Sequence, residues 1–179
     1  EINNEEYSKF YPLFDLDSEE WWETDTFDEN IKSQVDNIDT IYMTGGEPTV
    51  IEKNFEILSD LIESDQSKDI TLIINTNLTN TNPKFYQYLP NFKSVILQLS
   101  IDGYKGVQEY LRYPSKFSQI DESIHKLIKI HNVKLWATPV IQIGNLNMIV
   151  DLFKYFEDIN IKENKPIIDI RPILLQDPQ

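Results

Sequence analysis

The alternation of helix-period stripes with short β-branched runs constrains this chain most. Phe27, Ile31 and Val35 recur four apart, an amphipathic helix stripe. Residues 38–43 then read as a strand, and Phe55, Leu58, Leu61 and Ile62 mark the next helix face. Residues 70–74 make a second strand, and 83–89 a short helix with Pro83 near its start. Residues 95–101 make a third strand, followed by a helix face at Ile120, Ile124, Leu127 and Ile128. Residues 135–143 make a fourth, in which Pro139 predicts a bulge or distortion. A helix on Ile149, Leu152, Phe153 and Phe156 leads to a fifth strand, 167–175, interrupted by Arg171-Pro172. Strand–helix alternation of this kind implies an α/β fold with parallel strands joined by right-handed crossovers. Near-continuous apolar strands agree with a sheet covered by helices. Five strands cannot close an eight-stranded barrel, which leaves an open doubly wound sheet or an incomplete barrel. Residues 1–26, acidic and aromatic without a clean period, read as a lead-in segment, and 27–179 as one domain.

In parallel α/β folds the functional groups gather at the carboxyl ends of the strands. Those ends carry Gly45-Gly46-Glu47, Asn75-Thr76-Asn77, Ser100 with Asp102, Gln142 with Asn145, and Arg171. Five polar sets around one face predict a polar ligand site. Gly45-Gly46 permits close approach of backbone to ligand, and Pro48 biases Glu47 toward an extended conformation. A carboxylate so held suits an ammonium group. A phosphate would want amide N–H groups and a lysine, and neither G-x-x-x-x-G-K-[ST] nor G-x-G-x-x-G occurs. Nucleoside triphosphates and dinucleotides therefore lose support.

Thirty acidic residues against sixteen basic ones give a net charge of -14, which repels phosphate backbones and argues against a nucleic-acid partner. The chain has no cysteine, so it supplies no disulfide, thiolate nucleophile or thiolate-bound metal. His125 and His131, six apart on an expected helix, would point to different faces at about 100° per residue, which argues against a shared metal. No apolar run is long enough to span a bilayer. The N-terminus lacks the basic and apolar regions of a signal peptide, and a cytoplasmic location is expected. It also lacks an initiator Met, which reads as a partial gene product.

The strand-end motifs form an ordered series. Thr44-Gly45-Gly46-Glu47-Pro48-Thr49 resembles the GGEP motif of radical S-adenosylmethionine (radical SAM) enzymes. Asn75-Thr76-Asn77-Leu78-Thr79 is similar to the family's TNGT segment, and Ser100-Ile101-Asp102-Gly103 to its SIDG. Residues 109–117 resemble a segment of the twitch and SPASM relatives, and Thr138-Pro139-Val140-Ile141-Gln142 with Asn145 the strand after it. The resemblance spans roughly residues 27–175. It implies a partial, TIM-barrel-like (βα) barrel of about five units, the first strand missing, with S-adenosylmethionine across the strand ends. By resemblance, Gly45, Gly46 and Glu47 meet the methionine ammonium, and Ser100, Asp102, Asn75 and Asn77 line the ribose and methionine side. Arg112 is the candidate for the methionine carboxylate, and Gln142 and Asn145 lie near the adenosine.

The family's C-x-x-x-C-x-x-C loop holds a [4Fe–4S] cluster whose electron cleaves S-adenosylmethionine to a 5′-deoxyadenosyl radical. This chain departs there, having no thiolate ligand. The resulting expectation is a fragment of a radical SAM core, inactive alone, whose parent's substrate the sequence does not specify. The alternative is a natural cluster-free barrel module that binds a small ligand or a protein. An unrelated α/β enzyme with Glu47 and Asp102 as an acid–base pair is the third reading. A missing first strand would expose a sheet edge that homodimerisation could cover.

Overall fold

A computed structural model describes residues 29, 30, 34, 37–79 and 82–174. The chain divides into two compact units, Glu1–Ile38 and Asp39–Gln179. In the first, Glu29, Asn30 and Gln34 are helical. The expected stripe of Phe27, Ile31 and Val35, and the lead-in 1–26, lie outside the described residues.

The second unit runs β1 (Thr40–Met43), α1 (Glu52–Glu63), β2 (Thr71–Thr76), α2 (Pro83–Tyr88), β3 (Ser94–Leu99), α3 (Gly106–Leu111), α4 (Phe117–Leu127), β4 (Val133–Ala137), β5 (Val140–Ile141), α5 (Ile149–Lys162), β6 (Ile168–Ile170) and β7 (Ile173–Leu174). Five strands form one all-parallel sheet in the order β1-β2-β3-β4-β6. Neighbours in space are neighbours in sequence order, without the reversal that defines a doubly wound sheet.

Burial alternates along each central strand. Leu72, Ile74, Val95, Leu97, Leu99, Leu135 and Ala137 are closed from solvent. They share that core with Phe55, Leu58 and Leu61 of α1, Phe85 of α2, Ile120, Ile124 and Leu127 of α4, and Leu152 and Phe156 of α5. The other face, with Ile73, Asn75, Ile96, Gln98 and Trp136, is only half-buried, and Lys134 and Asp169 on it are exposed. A doubly wound sheet buries both faces. One closed face and one open face, with sequential parallel strands, is the arrangement of a partial βα barrel.

Prolines set where the sheet breaks. Neither Pro139 nor Pro172 can donate to a ladder, and they interrupt neighbouring strands. β4 stops at Ala137 and β6 at Ile170, and the chains resume as the parallel pair β5–β7. The Arg171 N–H donates to the Ala137 carbonyl at 2.7 Å, and the Ile173 N–H to that of Pro139 at 2.9 Å. The long fourth and fifth strands of the sequence reading are thus each two short ones.

Two other readings change. α4 ends at Leu127, so His131 sits in the turn before β4 and not on a helix. α3 has no counterpart in the sequence reading, because its buried residue is the polar Gln108. Packing of Tyr104 against Phe117 and Tyr155, with ring centroids 5.0 and 5.4 Å apart, ties the loop after β3 to α4 and α5.

Candidate functional site

The loop after β1 turns over Gly45 at φ +88° and Gly46 at φ +47°. A Cβ at either position would meet nothing within 4 Å, so backbone conformation and not crowding calls for glycine. The chain then enters a single 3₁₀ turn, Pro48–Val50, capped by Glu47. Oε1 of Glu47 accepts from the Thr49 hydroxyl at 2.7 Å and the Thr49 N–H at 3.3 Å, and Oε2 from the Asn77 N–H at 2.7 Å. Glu47 therefore straps the end of β1 to the end of β2, with both carboxylate oxygens engaged.

Asn77 closes its own turn, its Oδ1 accepting from the Thr79 N–H and hydroxyl at 2.9 and 2.6 Å. Leu78 follows at φ +57°, where the resembled segment has glycine, and its side chain is 1% exposed. Asn75 donates to the hydroxyls of Tyr42 and Thr44 at 3.0 and 3.1 Å. Its Oδ1 is closed from solvent and has no partner among the described residues. An acceptor left without a donor is costly unless something outside the protein supplies one.

After β3, the ladder is continued by a side chain. The Thr138 N–H still reaches the Leu99 carbonyl, at 3.1 Å, but beyond it the Val140 N–H donates to Oδ1 of Asp102 at 2.7 Å. Oδ2 of Asp102 accepts from Nε of Arg112 at 2.6 Å. The Asp102 carbonyl accepts from Asn145, whose Nδ2 also reaches the Val140 carbonyl and whose Oδ1 takes the Gln142 N–H. Gln108, fully buried, accepts from the Asp102 and Gly103 N–H groups at 2.8 and 3.2 Å. Asp102, Gln108 and Asn145 thus build the rim from inside.

Thr44, Gly45, Gly46, Glu47, Asn75, Thr76, Asn77, Ser100 and Arg112 enclose a polar cleft of ≈ 140 Å³ at the strand ends. The structure so brings Gly45, Gly46, Glu47, Asn75, Asn77, Ser100 and Arg112 together. Asp102 lies beneath them, held by Arg112. Asn145 is 1% exposed, and its amide and the backbone of Gln142 close the loop after β5. Asn77 and Arg112 also border a wider groove of ≈ 500 Å³ with Thr79, Tyr113, Pro114, Ser115 and Gln119. Thr44 was singled out from the sequence only as the first residue of its motif, and Gln108 and the open-face residues Gln98 and Trp136 were not. The signal for the last two was a polar or amphipathic residue at alternate positions of an apolar strand.

Gly103 is the most tightly packed of the glycines. A Cβ there would lie 2.6 Å from Cγ1 of Val107 and 2.9 Å from the Gln108 backbone nitrogen. Gly103→Ala is expected to cost about 1–3 kcal/mol by overpacking, read as a lowered urea midpoint at unchanged slope.

With both oxygens of Asp102 and of Glu47 engaged by protein donors, neither is poised to move a proton, and the acid–base-pair reading finds no support in this geometry. Among the described residues no group of three or more His, Cys, Asp or Glu side chains could hold a metal. A [4Fe–4S] cluster does not fit the residues of this chain, which holds no cysteine. S-adenosylmethionine does fit the rim: an unpartnered amide oxygen, a turn of two glycines with open space beside it, and a guanidinium with its outer nitrogens uncommitted among the described residues.

The fold and rim define a parallel βα barrel segment with a polar cleft at its strand ends. The profile of the Radical SAM superfamily matches residues 15–156, and the chain belongs to that family. No curated protein matches it. Among solved structures it is similar to SuiB of Streptococcus suis bound to S-adenosylmethionine, with 16% identity and a TM-score of 0.58 over 83% of this chain and 33% of SuiB. A SuiB structure bound to the precursor peptide SuiA gives a TM-score of 0.54 at 16% identity, over 74% of this chain and 28% of SuiB. TsrM of Kitasatospora setae, a radical S-adenosylmethionine methyltransferase with cobalamin and a [4Fe–4S] cluster bound, gives 0.59 at 8% identity, over 80% and 28% of the two chains. The chain spans about a third or less of these structures. Among the described residues no helix is long and apolar enough to cross a membrane.

Proposed function

We propose that this chain is the S-adenosylmethionine-binding part of a radical SAM core, with the cofactor in the cleft at the ends of β1–β3. Asn75 carries the reading most directly: it lines the cleft, and its Oδ1, closed from solvent as the side chain stands, has no donor among the described residues, so a turn of the amide would offer it to a ligand. The glycine turn at 45–46 gives backbone access, and Arg112, oriented by Asp102, presents a guanidinium to the methionine carboxylate. Ser100 and Asn77 also line the cleft. S-adenosylmethionine brings a sulfonium that a reducing cluster can cleave. This chain contributes binding and orientation and no cluster ligand.

Two measurements test the reading. Calorimetric titration with S-adenosylmethionine is expected to show saturable binding that Asn75→Ala weakens about tenfold, the effect of one well-placed hydrogen bond. Binding that is indifferent to Asn75→Ala, in a folded variant, contradicts it. Incubating the chain with dithionite and S-adenosylmethionine is expected to give no 5′-deoxyadenosine above buffer. Product formation would contradict the division between binding and electron transfer.

A further inference from the structure

The open face of β4 and β6 holds a cluster that the rim cleft does not use. Trp136 and Asp169 are register partners across the two strands, and Arg171, two residues on, shares their face. The Arg171 guanidinium lies 3.5 Å from the centroid of the Trp136 ring. Its Nε donates to Oδ2 of Asp169 at 2.7 Å. The ring fixes the plane of the guanidinium and the carboxylate fixes its rotation, so little freedom is left to lose on binding.

One of the five guanidinium donors is taken by Asp169. Among the described residues the two terminal nitrogens of Arg171 have no partner, and the side chain is 49% exposed. Two parallel N–H groups on an immobilised edge match a carboxylate in bidentate fashion. Charge narrows the choice further. Arg171 and Asp169 together are neutral within a chain of net charge -14. A monoanion meets little repulsion there, whereas a phosphate dianion faces Asp169 at close range. The surroundings are amphipathic, with Gln98 in register beside Trp136 and Asn75 beside Gln98. This row leads along the open face to the rim cleft.

We propose that Arg171, held by Trp136 and Asp169, binds a carboxylate of the molecule presented to the open face, making the substrate class a carboxylate-bearing one. The inference rests on the reading of the chain as a radical SAM core, in which the ligand at the rim acts on a second molecule.

The test is a titration of ¹⁵N-labelled protein with N-acetylglutamate N-methylamide, which carries one carboxylate, and with its glutamine analogue, which carries none. The Arg171 Nε–H and Trp136 indole N–H resonances are followed, the latter assigned with Trp136→Phe. The expected result is a saturable shift of both with the glutamate probe and none with the glutamine one. Arg171→Ala should weaken the apparent affinity about tenfold, and Arg171→Lys should restore only part of it. An equal response to both probes, an unchanged affinity in Arg171→Ala, or a stronger response to inorganic phosphate overturns the proposal. The comparison of the two probes needs no variant, so loss of folding in Arg171→Ala does not blunt it. S-adenosylmethionine added to the same sample reports separately through the Gly45 and Gly46 amides. A response there with Arg171 indifferent to the glutamate probe refutes the carboxylate site and leaves the cofactor reading. Silence at the glycines with a response at Arg171 refutes the cofactor reading instead. If S-adenosylmethionine alone moves Arg171, the position belongs to the cofactor and the proposal falls.

Discussion

Asp102→Ala is expected to lower the free energy of unfolding by about 3 kcal/mol, the sum of one broken ion pair and one orphaned amide. The carboxylate side chain is 5% exposed and has a different partner on each oxygen. Removing it strips the Val140 N–H, at the point where the β3 ladder has ended, of its acceptor. It also releases Arg112, but that side chain is 33% exposed and can turn to water, so the full penalty of a buried lone charge does not apply. Asp102→Asn keeps an acceptor for Val140 and is expected to lose about half as much. Urea denaturation with the two variants side by side gives the comparison. Equal losses for Asn and Ala would mean that the charge pair and not the amide bond holds the rim, and a loss under about 0.5 kcal/mol for Ala would mean that neither does.

Leu78→Gly sets two effects against each other. The left-handed backbone at φ +57° costs a side-chain-bearing residue about 1–2 kcal/mol, which glycine recovers. The side chain is 1% exposed, and deleting a buried leucine costs about 3–5 kcal/mol in transfer and cavity terms. Burial wins, and a net destabilisation of about 2–3 kcal/mol is expected by thermal or urea unfolding. A stabilised variant would show that the rim stores strain that the core does not offset. The resembled segment has glycine here, so this position also shows how a buried contact can replace conformational freedom at a turn.

The barrel strands were legible because their residues are apolar at most positions and each run stops at a polar set. The breaks at Pro139 and Arg171-Pro172 were legible for the chemical reason that proline cannot donate. What the periodicity could not give was the pairing of β5 with β7, which depends on both interruptions falling on neighbouring strands. α3 escaped because its inward residue is Gln108, and a buried glutamine leaves no apolar stripe. At the strand ends, residue types were readable but partners were not. Asp102 and Asn145 have the chemistry of ligand-binding residues, yet their polar atoms tie the loop after β3 to Arg112 and to the loop around β5. Glu47, expected to meet an ammonium group, has both oxygens on the ends of β1 and β2. Asn75, whose Oδ1 has no partner among the described residues, is the residue whose environment singles it out, and only the fold shows that.

The most direct test is a crystal structure of the chain soaked with S-adenosylmethionine. The account predicts the cofactor in the cleft between residues 45–47, 75–77 and Arg112, with a donor on Oδ1 of Asn75 and a carboxylate on Arg112. S-adenosylmethionine bound elsewhere, or an empty cleft at a concentration that saturates binding in solution, would contradict it.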